Sequence, residues 1–569
     1  AASHTSKVIQ GCVRASGVDQ YEEFLRPTQL GGKRNISVDF GVHIVNLFYW
    51  TCSKKQVSCA GLYVDVVSAF YRIVRPLVMN MSFTDEELAA LFKRLCIPPD
   101  ILHRMHAQIQ TGTIFSQAGF SGHFESLVAE FHKDTFFHTS GLEHVTATNI
   151  GSMPGLPFAD FVFNVAFKHV LEQIVGDLQT AGIVSSFPYT GKNNIPSQLE
   201  DMSEWVVPVI DVTWVDDLVL LIQSDDPLDL VPKVAMAATI VYDKLKAMNM
   251  TMKPTIGKTQ AVVQLKGSKS QTAAHQLYIQ DRATIRVVVP GQDPLELPVG
   301  FDYKHLGTIQ DIKGQQMAEI NTRLGKAVSA MRPLLKPVLA NVNIPAPDRY
   351  ALSLPYVFTT CLFNSSTWNP LNKSTASRLQ TGIFNIYRRV ARMTVHTTTA
   401  THYTSLQVLV ELTALAATEH IAVQRLRYLA RALVHAPPQL WALLQLAFTI
   451  GHSWIHEVLG DLQWLFSLTK FDSTLPAPEV SCLNVWFGWI ASHLSLWKNR
   501  IKLAAKIVVE RRANDFAVQQ WKTNFMDLAL KAGVTITKTI GCNRPPSEMA
   551  RRPNQTWQCN MCLVSLRNA

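Results

Sequence analysis

The sequence predicts an α+β protein in which a half of mixed strands and helices precedes an almost wholly helical half. Apolar runs at 206–215 and 218–222, rich in Val, Leu and Ile, predict strands in the first half. Thr84 followed by Glu87 is a capping-box pattern, which predicts the start of a helix in the same half. From about 317 to 534 the apolar residues follow helical spacing, so we place the boundary near residue 312.

Length and composition indicate a folded protein with several subdomains. The chain has 569 residues, of which 47% are hydrophobic and 17% charged, and this excludes a disordered polypeptide. Its formal net charge of +10 favours a polyanionic partner such as nucleic acid or an anionic membrane surface. A generically basic protein explains the charge equally well.

Several features concern the protein's compartment and extent. The nine cysteines lack the spacing of a disulfide framework, which predicts a reducing intracellular compartment, in the nucleus or the cytoplasm. Residues 1–10 are polar and unlike a signal peptide, and the apolar stretches 440–450 and 485–497 predict buried helices and no membrane partner. The chain lacks an initial Met and stops soon after a Cys-x-x-Cys, so we expect a fragment of a longer gene product. No protein partner is predictable.

Three aspartates lie where predicted strands end. A short apolar strand, 62–64, runs into Asp65, and two strand-like runs meet at Asp216 and Asp217. Each feature alone is ordinary cap or turn chemistry. Together, they provide the converging carboxylates that hold Mg²⁺ for phosphoryl transfer. Because adjacent strand residues point to opposite faces, we expect Asp217 mainly to support the site.

Five segments, in this order, resemble the motifs of reverse transcriptases, and most closely those of non-LTR, LINE-like retrotransposons. They are Asp65–Tyr71, with an aromatic five residues after the aspartate; Gly151–Asn164, a glycine turn before a helix; Trp214–Asp217, aromatic-x-Asp-Asp; Gly257–Thr259; and Tyr303–Gly307. A weaker segment, Gln29–Arg34 with Asp39, resembles the fingers motif that precedes them. The resemblance spans roughly residues 25–312.

The resemblance implies a right-hand polymerase fold and an RNA-directed DNA polymerase activity. Fingers and palm, with an antiparallel palm sheet, would occupy 1–312, a helical thumb 313–400, a helical C-terminal extension 401–540 and a truncated zinc-finger-like tail 541–569. A primer 3′-hydroxyl would attack the α-phosphate of a deoxynucleoside triphosphate, serving retrotransposition. The partners would be an RNA template, a DNA primer and the RNA–DNA hybrid.

The resemblance also implies a role for individual residues. Asp65 and Asp216, with Asp217 adjacent, would bind two Mg²⁺ ions, for which Mn²⁺ can substitute, and Lys258 would protonate or neutralise the leaving pyrophosphate. Phe70 would exclude a 2′-hydroxyl from the nucleotide site. The remaining nucleotide-binding residues would be Tyr71, Gly155, Lys33 and Arg34, and those for primer and template Trp214, Tyr303, Lys304 and Gly307.

Two departures from the family pattern leave alternatives open. Pro154 stands where many members carry Gln before the motif glycine, and Trp214 replaces Tyr or Phe. An RNA-copying RNA polymerase is one alternative, against which the bulk of Phe70 argues. A catalytically decayed or domesticated polymerase acting as a nucleic-acid scaffold is another; Pro154 favours it, and the three intact aspartates oppose it.

The C-terminal region adds two weaker predictions. Cys559 and Cys562 supply half of a tetrahedral Zn²⁺ site, so we expect zinc in the full-length protein only. Arginine clusters at 388–389, 425–431 and 511–512 indicate either a template-binding surface or the solvated faces of amphipathic helices.

Overall fold

The computed structural model describes residues 4–531 and four short C-terminal strands, and it confirms the α+β class. Within 4–531 the residues not described are 82–83, 96–98, 139, 142, 149, 197–204, 290–292, 312–315, 394–402, 472 and 474.

The helices are α1 (His4–Ser16), α2 (Val18–Phe24), α3 (Val38–Lys55), α4 (Arg75–Val78), α5 (Asp85–Arg94), α6 (Pro99–Gln110), α7 (Ile114–Gln117), α8 (Gly122–His132), α9 (Ala159–Thr180), α10 (Pro227–Ala247), α11 (Ser270–His275), α12 (Met317–Met331), α13 (Ala346–Ser353), α14 (Thr359–Cys361), α15 (Lys373–Ala391), α16 (Ser405–Leu412), α17 (Ala417–His435), α18 (Pro438–Ile450), α19 (Trp454–Leu468), α20 (Leu483–Ser492) and α21 (Leu494–Lys531). The strands are β1 (Ser58–Asp65), β2 (Phe136–His138), β3 (Val145–Ala147), β4 (Ser186–Pro188), β5 (Val206–Pro208), β6 (Asp211–Trp214), β7 (Asp217–Ser224), β8 (Gln260–Gln264), β9 (Thr284–Val287), β10 (Leu295–Gly300), β11 (Asp302–His305), β12 (Thr308–Asp311), β13 (Val534–Thr535), β14 (Met549–Arg551), β15 (Trp557–Cys559) and β16 (Ser565–Asn568).

A six-stranded sheet forms the centre of the first half, in the order β6-β7-β1-β8-β10-β9. Its neighbouring strands are antiparallel except β8 and β10, which are parallel. β1 pairs with β7 along its whole length, from Ser58 opposite Ser224 to Asp65 opposite Asp217. The predicted hairpin around Asp216 is therefore confirmed, and it lies at the edge of this sheet.

Both faces of the sheet are covered, which explains the continuous apolar character of β1 and β7. Leu62 and Leu220 face a cluster that includes the apolar sides of α9 and α10. Tyr63 and Val219 face a second cluster, to which α3 and the C-terminal helices α17 to α21 contribute. Helices from the end of the chain therefore complete the core of the first half.

Two helices show where local patterns succeed and where they fall short. The capping box at Thr84 is present, with its side chain and that of Glu87 each bonded to the other's backbone N–H. The segment 38–48 has the spacing of an amphipathic helix, yet α3 is buried on nearly every side. Its second buried face is explained by α18, which packs along it, and by α17, whose Tyr428 hydroxyl lies 2.8 Å from His43 Nδ1.

The helical half has a core of its own, formed by apolar residues between Ile320 and Ile421. This cluster extends across residue 400, and the division into thumb and extension stays a prediction. Among the described residues no single helix is long and apolar enough to cross a membrane. One bent pair, Ser405–Leu412 with Ala417–His435, passes that test by length and composition only.

A buried ion pair joins the hairpin β11–β12 to the first helix of the second half. Arg323 contacts Glu319 one turn earlier on α12, at 2.5 Å, and both side chains are almost fully buried. Glu319 also accepts a hydrogen bond from the Ile309 N–H, and Arg323 donates to the Gly307 carbonyl. The Arg323 guanidinium stacks on the Phe363 ring as well. The pair therefore holds the tip of the hairpin against α12.

We predict that Arg323→Met destabilises the fold by about 3–5 kcal/mol, because Glu319 is left buried without its partner. Chemical denaturation followed by circular dichroism measures this change. The control is Lys326→Met on the same helix, which removes a cation that Arg323 and Lys304 repel. An equal, small effect of both substitutions would show that the buried pair does not stabilise the hairpin.

Candidate active site

The sheet register brings Asp65 and Asp217 together at the end of β1. They are direct partners across the strand pair, and directly opposed residues point to the same face of a sheet. Asp216 lies in the two-residue turn between β6 and β7, beside Asp217. The prediction that Asp217 mainly supports the site assumed that Asp216 and Asp217 are adjacent residues of one strand. Asp216 lies in the turn, however, and Asp217 lies directly opposite Asp65, on the same face of the sheet.

The turn that carries Asp216 has a strained backbone. Val215 has φ +57°, which is unusual for a β-branched residue and costs about 1–3 kcal/mol. Gly31 lies against this turn so closely that a Cβ there would approach the Val215 nitrogen to 2.6 Å. The adjacent Leu30 N–H donates to the Thr213 carbonyl at 2.8 Å. The segment before Lys33 therefore fixes the position of the hairpin tip.

The three carboxylates form a crowded anionic group. Partial desolvation raises the pKa of Asp217 to about 6, although the residue is exposed on one side, and the nearby charges of Asp216 and Asp65 act in the same direction. Burial likewise raises the pKa of Asp216, with Asp65 as an additional cause. Lys258 donates to Asp65 Oδ1 at 3.2 Å and supplies the nearest positive charge. The site thus has an excess of negative charge that one ammonium group balances in part.

The chemistry of these donors suits a hard cation such as Mg²⁺, which prefers carboxylate oxygens. Among the described residues, no three or more His, Cys, Asp or Glu side chains are grouped as a metal site. The backbone register nevertheless sets Asp65 opposite Asp217 and beside the turn of Asp216. The proximity of the three residues thus comes from the backbone register, and the side chains are not arranged as a metal site in this structure.

Thr259 and Gln260, which follow Lys258, position this end of the sheet. Thr259 belongs to the motif segment Gly257–Thr259, but neither residue was assigned a role from the sequence. Thr259 Oγ1 accepts a hydrogen bond from the Asp65 N–H at 3.0 Å. Gln260 accepts from the Gly257 N–H and donates to the Asp302 carbonyl, joining the Lys258 loop to β11. The motif that contains Thr259 and the adjacency of Gln260 to it are the signals that could have indicated them.

The segment after Asp65 packs against the glycine turn before α9. Ala69–Arg72 is a 3₁₀ helix, and Phe70 lies half-buried against Phe163 at 5.0 Å between ring centroids. The Ser152 N–H donates to the Phe70 carbonyl at 2.8 Å. A Cβ on Gly151, at φ +76°, would lie 2.7 Å from the Tyr71 Cα, so glycine is required for this contact.

Arg75 holds the Gly151 turn in place, and its role was not identified from the sequence. It is buried, and its guanidinium donates to the carbonyls of Gly151, His132 and Thr148. Burial lowers its pKa to about 10. In the sequence, the indication of such a role is a single arginine flanked by apolar residues.

An open cavity of about 630 Å³ lies next to this turn, and exposed Tyr71 lines it together with Met153. Pro154 and Gly155 are exposed at the tip of the turn. Gly155 has φ +86°, and a Cβ added to it would meet no heavy atom within 4 Å. A side chain at this position would extend into open space, so the positive φ alone favours glycine there.

The predicted primer-binding residues lie partly at the carboxylates. Tyr303 stacks on Tyr63 at 4.2 Å, and burial, with Asp217 and Asp65 as further causes, raises its pKa to about 12. Trp214 is the direct partner of Asp217. Lys304 is exposed, and Gly307 lies at the hairpin tip that Arg323 holds.

Lys33 and Arg34 contact residues other than the three carboxylates. Lys33 donates to the Arg26 carbonyl at 2.7 Å, and burial lowers its pKa to about 8. Arg34 pairs with Asp19 and Glu22. Within the described part of the chain, no hydrogen bond or ion pair joins either residue to the three carboxylates, and their contact with a triphosphate stays a prediction.

The predictions for the C-terminal region concern a zinc site and the arginine clusters. Cys559 ends strand β15, and Cys562 lies outside the described residues, so the zinc prediction stays open. Arg425 is buried against Glu457 and Asp461, and Arg512 pairs with Glu419. These two arginines are structural, whereas Arg427 is exposed.

Comparison with known proteins adds no assignment. No model of a known protein family matches the chain, and no curated protein matches it either.

We predict that Asp217→Asn stabilises the metal-free protein at pH 8, because it removes one of three crowded carboxylates. The pKa of Asp217 is raised on folding from about 4 to about 6. The folded state therefore binds the proton more tightly, and the intact protein loses stability as pH rises from about 4 to 6. The variant's advantage should be full above pH 6 and vanish near pH 4, measured by denaturation in EDTA.

Asp225→Asn is the matched control, because Asp225 is exposed just beyond the other end of β7. It should leave the pH profile of the intact protein unchanged. A pH-independent effect of Asp217→Asn would contradict the crowding of the carboxylates.

Proposed function

We propose that this protein is a reverse transcriptase that extends a DNA primer on an RNA template, in the service of a non-LTR, LINE-like retrotransposon. The observation that carries the proposal is the pairing of Asp65 with Asp217, with Asp216 in the adjoining turn. This register gathers the three acidic residues of two separate sequence motifs at one end of one sheet. The finer proposal, a right-hand arrangement of fingers, palm and thumb, rests on the order of the motifs.

The carboxylates are the ligands proposed for two Mg²⁺ ions. The raised pKa values of Asp216 and Asp217 reflect burial together with mutual repulsion, and bound cations would relieve that repulsion. In the described structure the Lys258 ammonium stands beside Asp65 as the local cation. Bound Mg²⁺ would supply charge stabilisation to the attacking and leaving oxygens of the phosphoryl transfer.

The chain's own residues would orient the reactants around this centre. Lys258, more than half exposed, is free to turn from Asp65 towards the pyrophosphate. Tyr303 and Lys304, on β11, would hold the primer end next to the carboxylates. The backbone of Gly155 leaves space for the incoming nucleotide.

Selection of deoxynucleotides is proposed for Phe70. Its ring is packed on Phe163, and its backbone is bonded to the Gly151–Ser152 turn, so the ring cannot move freely to accommodate a 2′-hydroxyl. A rigid bulky side chain discriminates by steric exclusion, which favours DNA synthesis over RNA synthesis.

We predict that the protein extends a DNA primer on an RNA template with Mg²⁺ and deoxynucleotides, and that Asp216→Ala lowers the rate by roughly a hundredfold or more. Electrostatic stabilisation of the transferred phosphoryl group is lost in this variant. The control is Asp225→Ala, which removes an exposed carboxylate at the far end of β7 and should keep full activity.

Failure has two distinct forms in this experiment. A protein that binds the hybrid tightly yet extends no primer would support the alternative of a catalytically decayed nucleic-acid scaffold, which the exposed Pro154 favours. Equal activity of Asp216→Ala and Asp225→Ala would exclude the carboxylates as the catalytic centre.

The same assay tests nucleotide selection. Phe70→Ala should raise the ratio of ribonucleotide to deoxynucleotide incorporation at least roughly tenfold, whereas Phe70→Tyr, which keeps the ring, should not. An intact protein that prefers ribonucleotides would instead indicate an RNA polymerase.

A further inference from the structure

An open cavity of about 760 Å³ lies between the start of α3 and the helices α17 and α21. We call it the α17–α21 groove. Its charged lining consists of Arg427 and Arg431 on α17 and of Lys498 and Lys502 on α21, and His435 on α17 lines it as well. None of these residues belongs to the carboxylate site.

The basic residues of the groove follow the repeat of each helix. Arg427, Arg431 and His435 are four residues apart, and so are Lys498 and Lys502. A spacing of four residues advances about 6 Å along an α-helix and keeps the side chains on one face. Each wall of the groove therefore carries a pair of cationic groups in line, Arg427 and Arg431 on α17 and Lys498 and Lys502 on α21.

Most of this charge is not neutralised within the protein. Arg431 pairs with Asp39 at 2.9 Å, whereas Arg427, Lys498 and Lys502 make no ion pair with any described residue. The N-terminus of α3 borders the groove as well, through its N-cap Ser37, but Asp39 in its first turn offsets the partial positive charge of that terminus. The attraction for an anion therefore rests on Arg427, Lys498 and Lys502.

A buried tryptophan fixes the two helices of the groove to each other. Trp497 is fully buried beneath it, and its Nε1–H donates to the Leu426 carbonyl at 3.0 Å, which fixes α21 to α17. The apolar side of α17, with Leu429 and Leu433, is packed into the core. The two lines of cations are therefore held at a set separation, with little ordering left to occur on binding.

We propose that the α17–α21 groove binds the phosphate backbone of a single-stranded nucleic acid. Repeating anions along a strand match two lines of regularly spaced cations, and such contacts make the larger part of non-specific affinity. The volume of about 760 Å³ lies in the range of small-ligand clefts, which is room for a short stretch of one strand. An anionic membrane fits less well, because the groove is concave and the apolar side of α17 lies inside the core.

The test is binding of labelled twelve-nucleotide RNA and DNA strands without Mg²⁺, so it does not depend on catalysis. Arg427→Gln/Lys498→Gln/Lys502→Gln should weaken binding at least tenfold and lower the salt slope by roughly 2, because each phosphate contact on a single strand contributes about 0.7. Equal losses for RNA and DNA identify the phosphates as the shared ligand, and a greater loss for RNA adds the 2′-hydroxyl.

The matched control is Lys55→Gln/Lys93→Gln/Arg94→Gln, which removes the same charge from exposed positions on α3 and α5. Equal effects of the two triple variants would overturn the proposal, since net charge alone would then explain binding. A loss confined to co-sedimentation with phosphatidylserine–phosphatidylcholine vesicles would overturn it in favour of a membrane.

A second measurement uses the intact chain and so does not depend on the folding of a variant. RNA containing 4-thiouridine is cross-linked to the protein, and the labelled peptides are identified by mass spectrometry. Labels within 427–435 or 498–502 are expected, and their absence there, with labels elsewhere, would contradict the proposal.

Discussion

The antiparallel pairing of β1 with β7 is the constraint on which the candidate site depends. Eight residue pairs run from Ser58 opposite Ser224 to Asp65 opposite Asp217. A shift of one residue would turn every side chain of β1 to the other face, moving Tyr63 out of one core and Leu62 out of the other. Burial on both faces therefore specifies the register, and the register brings the acidic residues of two distant motifs together. The stability of the core and the geometry of the carboxylates have a common origin.

The surroundings of the carboxylates show how the rest of the chain supports this arrangement. Thr259 fixes the Asp65 backbone, and Gln260 joins the Lys258 loop to β11. Arg323, on the first helix of the second half, holds the tip of the β11–β12 hairpin at Gly307. The helical half also covers the sheet, since α18 packs on α3 and α17 is joined to α3 by the Tyr428–His43 hydrogen bond. It thus contributes both to the core beneath the candidate site and, in the α17–α21 groove, to a separate proposed surface for a nucleic acid.

Local sequence patterns predicted the elements of this fold better than their partners. The hairpin at Asp216, the capped helix after Thr84 and the helical second half follow from periodicity and capping, which act over a few residues. The register of β1 on β7 and the second buried face of α3 depend on segments far apart in the chain, which no local pattern reports. The arginines show the same limit: Arg425 and Arg427 are two positions apart, yet only the distant acids Glu457 and Asp461 make one of them structural.

The central claim is that Asp65, Asp216 and Asp217 hold a pair of metal ions, and electron paramagnetic resonance of Mn²⁺ tests it most directly. With primer, RNA template and a non-hydrolysable deoxynucleotide, the intact protein should bind two Mn²⁺ ions that show the coupling of a pair about 3.5–4 Å apart. Asp65→Asn should lose the coupled signal while keeping the Mn²⁺ carried by the nucleotide. An identical signal from the intact protein and Asp65→Asn, or no coupled pair in either, would contradict the account.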